Sequence, residues 1–189
     1  MDKKSPDELL EEVEIYPAER EALDRVFRTF VSKSDDPRAI ERCEKFGWQE
    51  VYRILRDLGC NQNKQEVQLM IWEVDEDLDG YVSREEFEIM FKRCVTDVTG
   101  LEPRKLFNLV RFMMFDKTNS GRVTEEDTLE LIFVRYGRDT LEQEVQSLFG
   151  NQQHTPDGQE KSISFSEYLE QINQREIGKR KKKISKKAR

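Results

Sequence analysis

Apolar residues recur along this chain at helical spacing, in blocks separated by polar loops. In "AEREALDRVFRTFV" (18–31), Leu23, Val26, Phe27 and Phe30 fall at i, i+3, i+4 and i+7, the stripe of an amphipathic helix. "GWQEVYRILRDLG" repeats the pattern with Val51, Ile54, Leu55 and Leu58, and the same periodicity predicts helices over 63–74, 84–95, 103–115, 125–137, 139–150 and 165–173. Each helix, loop, helix block carries an apolar residue late in its loop and an acid four residues later: "FGWQEV", "VSREEF", "VTEEDT" and "ISFSEY". The four apolar anchors, Phe46, Val82, Val123 and Ile163, lie 36, 41 and 40 residues apart. A unit of about forty residues is repeated in tandem.

The stretch "DEDLDGYVSREEF" (75–87) puts alternating aspartates, a glycine, a hydroxyl and a distant glutamate in one loop. With "LRDLG" and "MIWEV" before it, it resembles the EF-hand superfamily, most closely the calmodulin, troponin C and centrin type over residues 46–91. The resemblance covers 18–173 and weakens toward the C-terminus. It implies an all-α fold of four EF-hand helix-loop-helix units paired into two lobes, with short two-stranded β contacts between paired loops. Pairing has a physical reason, since a single helix pair cannot bury both of its apolar faces. The implied organisation is an acidic N-terminal extension (1–17), an N-lobe (18–97), a C-lobe (98–174) and a basic tail (175–189).

An EF loop supplies oxygens to calcium from positions 1, 3, 5, 7, 9 and 12, with glycine at 6 for the sharp turn. On that pattern Asp75, Asp77 and Asp79 are the first three ligands, Gly80 is the turn, Tyr81 offers its carbonyl, Ser83 acts directly or through water, and Glu86 chelates with both oxygens. The third loop, "DKTNSGRVTEED" (116–127), keeps Asp116 and Gly121 but has Thr118, Ser120, Arg122 and Thr124 between them and the end. It closes on Asp127, one methylene shorter than Glu, which tilts any residual site toward weak calcium or magnesium. Lys117 and Arg122 lower its negative potential further. The fourth loop runs from Gln153 to Glu167, three residues too long, with His154, Pro156 and Asp157 in the surplus. In the first unit Asp35, Asp36 and Pro37 read as a helix-end turn, so units one and four are expected to be structural partners.

Composition sets outer bounds. Charged residues make up 38% and hydrophobic ones 36%, a balance suited to amphipathic helices. No apolar run reaches eighteen residues and the N-terminus lacks a signal-peptide core, so a cytoplasmic protein is expected. Cys43, Cys60 and Cys94 have no metal-ligand spacing and are expected to be reduced packing or surface thiols. The net charge of −7 conceals a split: residues 175–189 hold nine Lys or Arg against one Glu, a local +8, which leaves −15 on the rest. That tail suits a nuclear-import signal, an anionic surface, an acidic protein such as the tubulin tails, or a disordered solubilising segment. It has no aromatics for base stacking and few apolar residues for a membrane helix, which argues against nucleic acid and bilayer.

The resemblance implies a target groove at Leu55, Met70, Met90 and Phe91, which serve equally as lobe core. Trp72 falls on the face opposite Val67, Met70, Ile71 and Val74 and is either a partner contact or packed on the N-terminal extension. The expected function is a non-enzymatic, calmodulin-like protein with one strong Ca2+ site that modulates binding to an amphipathic or coiled-coil helix of another protein. The alternative is a constitutive light chain or docking subunit of a cytoskeletal assembly, axonemal or of outer-dynein-arm docking type, in cytoskeleton, cilium or flagellum, with a structural calcium site. No nucleophile and base arrangement or phosphate-cradling loop points to an enzyme or a small-molecule substrate.

Overall fold

The computed structural model describes residues 12–33, 44–97, 99–150 and 160–187, with side chains to Arg175 and at Ile177. Asp35, Asp36, Pro37, Cys43, His154, Pro156 and Asp157 lie outside the described residues, as does most of the N-terminal extension. The described helices are α1 (Pro17–Ser32), α2 (Trp48–Asp57), α3 (Lys64–Trp72), α4 (Arg84–Thr96), α5 (Arg104–Phe115), α6 (Glu125–Tyr136), α7 (Arg138–Phe149) and α8 (Phe165–Lys187). The strands are β1 (Phe46–Gly47), β2 (Tyr81–Val82), β3 (Arg122–Thr124) and β4 (Ser162–Ser164). They pair two by two and antiparallel: Phe46 faces Val82 in one pair, and Val123 faces Ile163 in the other. All four apolar anchors are buried at the paired position, where the backbone bonds across while the side chain enters the core.

The acid four residues beyond each anchor is the third residue of the following helix and caps it. Glu50 Oε2 accepts from the Gly47 NH at 2.9 Å, and Glu86 Oε2 from the Ser83 NH at 2.8 Å. Asp127 Oδ2 accepts from the Thr124 NH and Glu167 Oε2 from the Ser164 NH, each at 2.8 Å. These bonds satisfy donors that a helix start otherwise leaves without partners. The repeated acid therefore has a local structural reason in every unit, whether or not an ion binds there.

Two compact units divide the chain, the first ending at Met114 and the second beginning at Phe115. In the first, the rings of Phe27, Phe30, Phe46 and Phe87 form one cluster, with Phe30 stacked on Phe46 at 4.5 Å and Phe27 edge-on to Phe46 at 5.6 Å. Arg84 pairs with Asp24 and lies 4.7 Å over the Phe27 ring. α5 groups with this unit: Phe107 lies 5.8 Å from Phe91, and Arg25 donates to the Met113 and Met114 carbonyls at 3.1 and 2.9 Å.

The turn between α4 and α5 is built on the Asp97 carboxylate, whose side chain is only 2% exposed. It accepts from the Thr99 hydroxyl and NH at 2.6 Å each, the Gly100 NH at 2.9 Å and Arg104 at 2.6 Å. Burial pushes this carboxyl up, but the Thr99 hydroxyl, the Gly100 and Thr99 amides and Arg104 outweigh it and hold it well below the usual carboxylate range. Nearby, burial pushes the Cys94 thiol up to about 12, so it packs as a small apolar group, whereas Cys60 is half-buried.

In the second unit Phe165 stacks on Tyr168 at 6.3 Å, and Phe115 meets Tyr168 edge-on at 6.5 Å. The periodicity predicts a helix over 165–173, and α8 runs beyond it through the basic segment to Lys187. Lys and Arg are good helix formers and no proline interrupts the segment. Arg175 itself is part of the fold: its guanidinium forks onto both oxygens of Glu144, at 2.6 Å to Oε2, tying α8 to α7.

Candidate metal centre

The loop between α3 and α4 folds around its own carboxylates. Asp75, the last residue before the turn, is buried and accepts from the Asp79 NH (3.1 Å) and the Gly80 NH (2.8 Å). Asp77 Oδ1 takes the Asp79 NH at 3.1 Å, and Asp79 Oδ1 takes the Tyr81 NH at 2.9 Å. Glu86 returns from the first turn of α4, where Oε1 accepts from the Glu76 NH at 2.8 Å and Oε2 from the Ser83 hydroxyl at 2.7 Å. Two backbone positions shape the loop: Gly80 at φ 86° and Leu78 at φ 60°. A side chain at Gly80 would meet open space, so the restriction there is on backbone conformation.

These bonds gather the ligand oxygens of Asp75, Asp77 and Glu86 within 4.8 Å of one another. Two oxygens on opposite sides of a calcium ion at 2.3–2.6 Å are about 5 Å apart, so the cluster has the span of one coordination sphere. Every donor is a hard oxygen, which fits calcium or magnesium and not a soft metal. Among the described residues no other group of three acids or metal-ligating side chains comes together in this way. Burial raises the Asp75 carboxyl, against the Gly80 and Asp79 amides, while the Asp79 amide and then Lys45 lower Asp77.

Of the six sequence-assigned ligands, Asp75, Asp77 and Glu86 converge. Ser83 serves the Glu86 cap, and Tyr81 stands in β2 opposite Gly47. Asp79 instead meets Lys45, which the sequence reading assigned no role. Lys45 Nζ lies 2.5 Å from Asp79 Oδ2 and 3.2 Å from Asp77 Oδ2. The Asp79 carboxylate holds the Lys45 ammonium above the ordinary lysine range. The signal for Lys45 is its position beside Phe46: pairing of Phe46 with Val82 lays its side chain along the neighbouring loop.

The third loop keeps the backbone trace of the second. Asn119 and Gly121 repeat the positive φ of Leu78 and Gly80, at 53° and 74°. Its interior is closed by hydroxyls: Asp116 accepts from the Ser120 NH (2.9 Å), the Ser120 hydroxyl (3.2 Å), the Thr118 hydroxyl (3.4 Å) and the Gly121 NH (2.7 Å). Thr124 caps Asp127 through its hydroxyl at 2.8 Å, and Arg122 turns outward to the Ser162 hydroxyl and carbonyl at 2.8 and 2.7 Å.

Residues 50–94, the span from α2 through α4, match the family model of an EF-hand domain pair. Over this span the chain is similar to an EF-hand pair. It is also similar to Polcalcin Cup a 4 of Hesperocyparis arizonica, with 29% identity over 110 residues. That match covers 58% of this chain and 57% of the relative, so the chain spans a little over half the length of that protein. EF-hand loops hold calcium through oxygen ligands, and EF-hand proteins commonly bind protein partners. No described helix is long and apolar enough to cross a membrane.

Of the EF-hand groove positions, Leu55, Met70, Met90 and Phe91 are all buried, with Val67, Ile71 and Val74. Trp72 lies on the opposite face of α3, 66% exposed, one turn from Leu69 at 56%. In the second unit, a groove of about 580 Å³ runs between α6 and α7, lined by Leu129, Leu141 and Val145 with Glu125, Glu142 and Arg138 at its margin. Phe133 and Tyr136 continue the exposed apolar stripe of α6 beyond it.

Proposed function

We propose that this chain is a calcium-binding, calmodulin-like EF-hand protein with one strong ion site, loop 75–86, whose loading modulates attachment to a helical segment of another protein. The observation that carries this reading is the oxygen cluster of Asp75, Asp77 and Glu86 inside a matched EF-hand pair. Asp75 and Asp77 would hold the ion from the loop and Glu86 from the first turn of α4. The chemistry of the ion is a dense positive charge that the loop carboxylates neutralise, so loading couples the position of α4 to that of α3. Four units in two lobes, 18–97 and 98–174, are part of the proposal, supported by the two antiparallel loop pairs.

Trp72 and Leu69 are the proposed exposed partner contact of the first lobe, while Leu55, Met70, Met90 and Phe91 belong to its core until the helices part. The second reading is a constitutive light chain or docking subunit. It is favoured by the third loop, where the Thr118 and Ser120 hydroxyls close on Asp116 and give the loop a bonded interior without an ion. Neither reading assigns enzymatic chemistry to the chain, and both place the partner on a protein helix. Calorimetry of Glu86→Gln tests the ion site: the single calcium isotherm should disappear while helix content is kept. Unchanged calcium binding in that variant would refute the assignment.

A further inference from the structure

We infer that Lys45 is a tethered cation, supplied by the ligand-poor first loop, that competes with a metal ion for Asp77 and Asp79 and so sets the affinity of loop 75–86. The inference rests on the reading of that loop as a calcium site and concerns how the site is regulated.

Three observations carry it. First, the ammonium reaches both carboxylates, at 2.5 Å to Asp79 and 3.2 Å to Asp77. Second, it takes the Oδ2 atom of each, while Oδ1 of Asp77 is committed to the Asp79 amide and Oδ1 of Asp79 to the Tyr81 amide. The oxygens that the loop backbone leaves for a cation are thus the ones Lys45 occupies. Third, the attachment point of Lys45 is fixed. Phe46 is buried in the ring cluster with Phe27, Phe30 and Phe87, and its pairing with Val82 sets the register of the two loops. The side chain is 22% exposed, so its stem is held against the protein while its head stays on the carboxylates.

A divalent ion drawing Asp77 and Asp79 inward has to displace this ammonium. The ion pair is therefore subtracted from the apparent binding free energy. Partly exposed pairs of this kind correspond to severalfold in an equilibrium constant. The ligand-poor unit then has an electrostatic task besides its packing one: it raises the calcium concentration at which its neighbour fills, and it offsets the mutual repulsion of the Asp77 and Asp79 carboxylates.

The test is a calcium titration of the full chain by calorimetry, for wild type, Lys45→Met and Lys45→Arg. Met keeps the apolar stem and removes the charge. The inference expects Lys45→Met to bind calcium about three- to tenfold more tightly, and Lys45→Arg to stay near wild type. In 15N spectra of the wild type, the Lys45 ammonium signal should move in step with the Asp79 amide as calcium is added. Equal or weaker binding by Lys45→Met overturns the inference while leaving the calcium site intact. Absence of calcium binding in wild type and Lys45→Met alike overturns the calcium reading itself.

Discussion

At the scale of the residue, single carboxylates have unlike tasks that composition cannot separate. Asp97 is a structural hub whose charge is needed to hold the α4–α5 turn. Its folded pKa is depressed, so its contribution is present above the unfolded carboxylate value, about 3.9, and is lost as pH falls through the lower folded value. Asp97→Asn should lower stability by about 2 kcal/mol near neutral pH, and urea denaturation should show the difference narrowing below about pH 4. Leu78 is the opposite case, a branched side chain held at φ 60° where the equivalent loop position carries Asn119. Leu78→Asn should raise the stability of the calcium-free protein by up to about 1 kcal/mol, because Asn tolerates the left-handed region. A loss of stability in that variant would mean that Leu78 packs in a way its exposure conceals.

At the scale of the element, what was legible in the sequence was local. Helix periodicity and the four-residue step from each anchor to its acid span a dozen residues or fewer, and the helices and loop strands form where those spacings put them; of the loop 75–86 ligand set, Asp75, Asp77 and Glu86 come together. Lys45 was legible only as the neighbour of the Phe46 anchor, since its partners lie 32 and 34 residues away and come into reach through the β1–β2 register. The continuation of α8 through the basic segment was missed because like charges in a row read as a solvated tail, while their helix propensity and the Arg175–Glu144 clamp act the other way. Asp127 and Glu167 close the third and fourth loops in the ligand pattern, and their hydrogen bonds, like that of Glu50, give them a capping role that the pattern alone does not show. The first unit is held in place by its anchor. Phe46→Ala should destabilise the first compact unit by about 3–5 kcal/mol, measured by urea unfolding, since it removes the ring on which Phe27, Phe30 and Phe87 converge.

At the scale of the whole molecule, the single strong site proposed above would limit how far calcium can shift an equilibrium. With affinity near 1 μM and free calcium near 10 μM, loading stabilises the bound form by about 1.4 kcal/mol, a tenfold shift at most. Driving a population from 1:99 to 99:1 takes about 5.5 kcal/mol. On the proposed reading calcium would tune an attachment and not create one, through a first lobe that responds to the ion and a second whose third loop is closed by its own hydroxyls. Lys45 would push the working range to higher calcium without adding to that shift. The central claim is the number of strong sites, and the most direct measurement is the calcium stoichiometry of the wild-type chain by calorimetry in the presence of millimolar magnesium. The account predicts one calcium ion per chain at micromolar affinity; two or more such ions, or none, would contradict it.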